Sequence, residues 1–209
     1  MVPPLSPETF SVLTGVSRET LDRMACYVAL LAKWQAKINL VSNASLQDTW
    51  RRHILDAAQL WVLITGSGNK LVDIGSGAGL PGLVLAILGL ENVTLVESDG
   101  RKCAFLQEAA RITGTDVEVI HGRVETAVLN GPASIVTGRG FAPLPNLLEL
   151  ASAIADRNTT YLLLKGRNTE QELTAASKCW TLRAERFPSI SDPSGTVLRL
   201  TEVVRGNSP

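Results

Sequence analysis

Apolar positions follow two different rhythms along the chain, and the change between them divides it. From Ser17 to about Lys37, Leu21, Met24, Val28, Leu31 and Ile38 recur at helical spacing, with Ser17 and Thr20 placed as a helix start. A second helix is predicted from about Leu46 to Ile64, carrying Ile54, Leu55, Ala58, Leu60, Trp61 and Leu63. Thr65-Gly-Ser-Gly-Asn69 breaks that pattern. The chain therefore divides in expectation into an N-terminal helical extension, residues 1–66, and a main domain, residues 67–209.

In the main domain the rhythm alternates. Strand-like runs at Lys70–Ile74, Val93–Val96, Val117–Ile120, Ala133–Val136 and Tyr161–Leu164 are separated by helical segments at Leu80–Leu88, Arg101–Thr113, Pro143–Ile154 and Thr169–Lys178. This predicts an α/β fold with a mostly parallel sheet and helices on both faces. The tail departs from the alternation: Cys179–Phe187 and Thr196–Val204 have no helix between them, so they read as an antiparallel hairpin closing one edge of a seven-stranded sheet.

The most informative stretch is Leu71-Val-Asp-Ile-Gly75-Ser-Gly77-Ala-Gly79-Leu80-Pro81-Gly82, a buried strand, a glycine-rich turn and a helix start in that order. Glycines at alternate positions allow a sharp turn and a close approach to a ligand. Pro81 suits the first turn of a helix, whose free N–H groups would point at that ligand. A dinucleotide fingerprint would need a glycine where Leu80 stands, whereas Gly-x-Gly-x-Gly is the form typical of S-adenosylmethionine-dependent methyltransferases. The next strand ends at Glu97, whose carboxylate can accept from both ribose hydroxyls. That acid would serve NAD equally well.

Composition narrows the setting. The chain of 209 residues is 45% hydrophobic, enough for one α/β domain with an extension, and no run reaches the ~20 apolar residues of a membrane span. No membrane partner is expected. The opening residues lack a signal-peptide pattern, so a cytoplasmic location is expected. Cys26, Cys103 and Cys179 are isolated and without metal-ligand spacing, so no metal is expected. A formal net charge of zero argues against coating nucleic acid by charge alone. It leaves room for a local basic patch, since Lys33, Lys37, Arg51 and Arg52 face only Asp48 between Lys33 and His53.

The chain resembles the bacterial small-subunit ribosomal RNA methyltransferase G family, also called glucose-inhibited division protein B. The resemblance rests on Lys33-Trp-Gln-Ala-Lys-Ile-Asn39-Leu40, His53-Ile-Leu-Asp56, the glycine run, Glu97 with Arg101-Lys-Cys-Ala-Phe-Leu106, Gly122-Arg-Val-Glu125, Arg139-Gly-Phe-Ala142 and Leu164-Lys-Gly166. It implies a Rossmann-like methyltransferase fold and N7-methylation of a guanine in 16S rRNA. It also implies S-adenosyl-L-methionine as cofactor, with Gly75, Gly77, Gly79, Leu80, Glu97, Val124, Glu125 and Arg139 lining its site. The partner implied is 16S rRNA or the small ribosomal subunit, bound by a monomer.

For the RNA, Arg123, Arg139, Lys165, His53 and Asn39 are the candidate contacts, with Arg51 and Arg52 as further phosphate candidates. N7 lies on the edge of the deep major groove of A-form RNA, so the target base should be looped or splayed out, with Phe141 a candidate to stack on it or an ordinary core aromatic. Asn39, His53 and Asp56 could instead join the extension to the domain. The chain departs from the family pattern at Gln35, Val41 and Ala57 and at the two glycines flanking Arg139, Gly138 and Gly140. No catalytic residue is identified. A dehydrogenase, a non-catalytic RNA-binding factor and a small-molecule methyltransferase are the rival readings.

Overall fold

The structure, a computed structural model, describes residues 3–66 and 68–206. Strands β1 (Leu71–Ile74), β2 (Val93–Glu97), β3 (Glu118–His121), β4 (Ile135–Arg139), β5 (Thr160–Lys165), β6 (Trp180–Pro188) and β7 (Thr196–Arg205) form one sheet in the order β3-β2-β1-β4-β5-β7-β6. The first five run parallel; β7 pairs antiparallel with β5 and with β6, as the tail pattern predicts. Strand order reverses between β1 and β4. In open α/β sheets that switch point opens a crevice at the carboxyl ends of the strands.

Both faces of the sheet are covered. On one, α2 (Arg18–Gln35), α4 (Gly82–Ile87) and α5 (Gly100–Thr113) bury Met24, Tyr27, Leu31, Leu83 and Phe105 against Leu71 and Leu95. On the other, α6 (Leu144–Ala151) and α7 (Thr169–Ala176) bury Leu147, Leu148 and Leu173 with Val72, Ile74 and Val136. Adjacent residues of β1 feed opposite cores, which is why its run is apolar without alternation. Helix α2 begins where expected: Ser17 Oγ accepts from Thr20 N at 3.1 Å. Tyr27 and Trp34 of α2 both pack on Phe105, with ring centroids 6.3 and 5.7 Å away. The extension thus shares a core with the sheet domain.

Three local expectations change. The single helix predicted from Leu46 to Ile64 is instead a 3₁₀ turn (Ser45–Asp48), a π-helical turn (Trp50–Leu55), a short α3 (Asp56–Ala58) and another 3₁₀ turn (Trp61–Leu63). His53, Ile54 and Leu55 are consecutive and all buried. In a regular helix they would fan over roughly 200°, more than one contact face offers, and the widened turn accommodates them. Helix α4 begins at Gly82 rather than Leu80, because Gly79 N and Leu80 N both turn back to Ser76 O at 2.7 and 3.2 Å. Finally, α1 (Pro7–Thr14) was not foreseen, although Ser6 Oγ accepting from Thr9 N and Pro7 in the first turn are its ordinary signals.

Among the described residues no helix is long and apolar enough to cross a membrane, and no His/Cys/Asp/Glu group could hold a metal ion. The three cysteines are free.

Candidate functional site

The glycine turn sits at the crevice and is held by backbone groups. Ser76 N donates to Val96 O at 3.1 Å, Ser76 Oγ to Asp73 O at 2.9 Å, and Tyr27 Oη, from the extension, to Ala78 O at 2.6 Å. Burial raises the Tyr27 hydroxyl pKa, so it stays a donor. Gly77 has φ +56°, and a Cβ there would meet nothing nearer than Gly75 O at 3.7 Å, so this point of the turn is open. Gly79 is the reverse: at φ +84° its Cβ would lie 2.7 Å from the Leu83 Cβ. One glycine leaves room; the other closes the packing behind it.

Glu97 reaches the turn from β2. Its Oε2 accepts from Gly77 N and its Oε1 from Asp99 N, both at 2.8 Å, and the residue is buried. A carboxylate has about four acceptor positions, so two remain for hydroxyl donors. Gly122 N bonds to Glu97 O at 2.9 Å, which brings the 3₁₀ turn Val124–Thr126 to the same end of the sheet. Val124 is buried there, while Glu125 is exposed and loosely faces Arg123 at 3.9 Å. The Leu80 side chain packs in the core.

Asp73, missed in the sequence because its neighbours carried the apolar run, lies fully buried under the turn. One oxygen accepts from Thr137 Oγ1 at 2.9 Å and the other has no partner among the described residues. Burial pushes its pKa up to about 6, against opposing hydrogen bonds and the Arg139 charge. A charged residue amid a doubly buried strand was the signal available.

Beside the turn lies a cavity of about 360 Å³, lined by Ser45, Arg52, His53, Asp56, Arg139, Lys165 and Asp192, among others. Arg139, at the end of β4, is its hub. A single guanidinium nitrogen contacts Arg52 O at 3.1 Å, His53 Nδ1 at 3.0 Å and Asp56 Oδ2 at 3.4 Å. Burial, then the charges of Arg139 and Arg52, lowers the His53 pKa to about 3. The imidazole is therefore neutral, accepts at Nδ1 and donates at Nε2 to Ser45 Oγ at 2.9 Å.

The tip of the β6–β7 hairpin completes the wall. Ser191 Oγ donates to Asp56 Oδ1, Arg52 pairs with Asp192 at 2.6 Å, and Gln59 accepts from Ile190 N at 3.0 Å. The Arg52 hydrogen bond holds the Asp192 carboxyl down at about 2. Phe141, two residues past Arg139, lies over the Cα of Gly75, where a Cβ would overlap its ring, and also packs on the second core. It follows Gly140, which lines the cavity, and so covers the turn next to it.

The predicted site residues thus fall into groups. Gly75, Gly77, Gly79 and Glu97 come together at the turn, and His53, Asp56, Arg139 and Lys165 at the cavity. Arg139 pairs with Asp56 and not with Glu125. Lys165 is engaged, donating to Glu172 at 2.8 Å and Ala142 O at 3.0 Å, and so bracing the loop after β4. Arg51 pairs with Asp48, which shrinks the basic patch. Asn39 is exposed after α2, outside this cavity, so of Asn39, His53 and Asp56 only the last two contact Arg139 and the hairpin tip. Gln35 caps that loop: its side chain accepts from Leu40 N and Val41 N at 2.9 and 3.0 Å. The sequence did not single out Ser45, Gln59, Ser191 or Asp192, whose partners are distant or unremarkable in the chain.

Strand order, antiparallel final hairpin and glycine turn together define a Rossmann-like methyltransferase. Solved structures agree: a TehB-like SAM-dependent methyltransferase from Corynebacterium glutamicum has a TM-score of 0.56 at 15% identity, covering 86% of this chain and 99% of that one. A ribosomal protein L11 methylase from Lactobacillus delbrueckii subsp. bulgaricus has the same TM-score at 14% identity, covering 70% and 76%. Residues 20–195 match the family model described as rRNA small subunit methyltransferase G. Proteins named ribosomal RNA small subunit methyltransferase G are 52% identical in Paramagnetospirillum magneticum, over 98% of this chain and 99% of that one, and 50% in Rhodospirillum rubrum, over 96% and 100%. The chain belongs to the rRNA small subunit methyltransferase G family.

Proposed function

We propose that the protein transfers the methyl group of S-adenosylmethionine to N7 of a guanine in small-subunit rRNA. The observation that carries this reading is Arg139, suspended by His53 and Asp56 between the glycine turn and a cavity of about 360 Å³. One side accommodates a nucleoside cofactor, the other a single base. The cofactor fits: Gly77 leaves an open face, and Glu97 keeps acceptor positions for ribose hydroxyls. Gly75, Gly79 and the Leu80 backbone would complete the turn, with Val124 and Glu125 at the adenine edge and Arg139 beside the reacting end.

When bound, the cofactor supplies an activated methyl on a sulfonium. N7 already carries a lone pair, so the protein need not remove a proton. Its contribution is orientation, which can supply ~7–11 kcal/mol when reacting atoms are held near contact distance. The base enters splayed from its loop, and Arg123 and Lys165 remain candidates for the RNA, Lys165 through exchange of its Glu172 partner. Asn39, further off, would touch flanking RNA. Residues 1–66 act as an extension that walls the base cavity, and residues 67–209 as the methyltransferase domain. The protein works as a monomer in the cytoplasm.

The test is mass mapping of modified guanines in rRNA from cells with and without the protein, joined to transfer of labelled methyl by the purified protein. A 7-methylguanosine that disappears with the gene and is restored in vitro is expected. Unmethylated rRNA that the protein and S-adenosylmethionine leave unlabelled overturns the reading.

A further inference from the structure

Two carboxylates line the base cavity, and they differ in what they have left to offer. Asp192 is tightly paired: Oδ2 binds Arg52 at 2.6 Å, and Oδ1 accepts from both the backbone N and the Oγ of Ser194 at 2.9 Å. Asp56 is held at one oxygen and only loosely paired at the other. Its Oδ1 is fixed by Ser191 Oγ and by Gln59 Nε2 at 3.0 Å, whereas Oδ2 has only Arg139 at 3.4 Å. A carboxylate accepts from about four directions, so Oδ2, with one long contact, is the acceptor with most left to give in a rigidly held group.

A splayed guanine presents two adjacent donors on its Watson–Crick edge, N1–H and the N2 amino group, and flipped bases are read along that edge. Adenine presents a lone pair at N1, which a carboxylate repels. Of the cationic groups lining the cavity, Arg52 is paired with Asp192 and Lys165 with Glu172, which leaves Arg139 to match the acceptor O6. We propose that Asp56 determines specificity by accepting from N1–H and the N2 amino group of the target guanine. This rests on the reading of the protein as a guanine methyltransferase. It gives His53 and Ser191 a definite task, holding Arg139 and Asp56 so that Oδ2 stays presented.

The experiment compares single-turnover methyl transfer to rRNA carrying guanine or inosine at the target position, for the wild type and Asp56→Asn. Inosine keeps N1–H but lacks the amino group. The wild type prefers guanine by about tenfold or more, as a good two-point base contact allows, and Asp56→Asn reduces this ratio towards one. Ser191→Ala, which loosens Asp56 but leaves its carboxylate, lowers the preference less than Asp56→Asn does. Equal losses on the two RNAs in Asp56→Asn, total loss included, mean a purely structural Asp56 and overturn the proposal, as does a wild type indifferent to the amino group. A wild type that makes no 7-methylguanosine on guanine RNA fails the underlying reading instead. S-adenosylmethionine affinity by calorimetry, unchanged in the variant, shows that the fold is intact.

Discussion

The glycine turn and the cavity beside it adjoin at the end of β4, where Arg139 and Gly140 line the cavity and Phe141 covers Gly75, yet they are built in opposite ways. The turn is nine consecutive residues, Ile74 to Gly82, braced mainly through backbone amides and carbonyls by Val96, Glu97 and Tyr27. The cavity is assembled from four separate stretches, around residues 41–56, 139–140, 164–166 and 189–196, joined by side chains. A backbone-braced site tolerates side-chain change but not a Cβ in the wrong place. A side-chain network behaves the other way round, because removing one partner leaves buried polar groups unpaired.

Gly77→Val should have the largest effect. Its Cβ has space in the structure, but a β-branched residue is strained at φ +56° and projects into the open face where the cofactor is proposed to lie. Affinity for S-adenosylmethionine is expected to fall more than about 100-fold in calorimetry, with strain costing the fold only about 1–2 kcal/mol. Unchanged affinity in a folded variant would remove the turn from the cofactor site.

Arg139→Ala attacks the cavity. Turnover should drop about 100-fold, the scale set by misplacing reacting groups by an ångström. Leaving His53 Nδ1 and Asp56 Oδ2 short of a donor costs about 1–3 kcal/mol, or a melting temperature lower by roughly 2–12 °C. Cofactor affinity should fall much less, since the turn keeps its own braces. A loss of affinity as deep as the loss of turnover would show that Arg139 belongs with the turn.

Protonation separates the two regions more finely. With a folded-state pKa near 3 against an ordinary 6.5, His53 refuses a proton that the unfolded chain takes up. Its share of stability is therefore complete above pH 6.5 and is lost as pH falls towards 3. Asp73, raised to about 6, has the opposite sign: the native state takes up its proton first, so stability falls as pH rises from about 4 to 6. Comparing wild type with His53→Gln cancels the Asp73 contribution. Between pH 7.5 and 4.5 the wild type should lose up to about 2.7 kcal/mol relative to the variant in denaturant titrations. A constant difference would mean that His53 is not held neutral.

The same contrast explains what could be read from the chain. The strand, turn and following acid were legible because their contacts are local, and the hairpin because its two runs lack a helix between them. Ser191, Asp192 and Gln59 were not, since Asp56 meets Ser191 across 135 residues and Gln59 meets Ile190 across 131. The segment 45–63 failed for a related reason: its apolar positions fit helical spacing, and only the burial of His53, Ile54 and Leu55 in succession widens the turn. His53 then looked like a phosphate contact, whereas burial makes it a neutral acceptor for Arg139.

Gly138→Ser is the smallest change and probes the seam between the regions. Gly138 is one of the two departures from the family pattern beside Arg139, and it lies on β4 directly before it. An added Cβ would meet Ile74 Cγ1 at 3.3 Å and Ile74 O at 3.5 Å, contacts that need a shift of only a few tenths of an ångström. The hydroxyl has Ile74 O within reach as an acceptor, so this buried position should lose only about 1 kcal/mol, the low end of overpacking. Turnover should stay within about threefold, a barrier change under roughly 0.7 kcal/mol. A larger gain in turnover with unchanged stability would show that the hydroxyl acts on Arg139 or the base, so that the seam, built from backbone on the turn side, accepts a side-chain contribution after all.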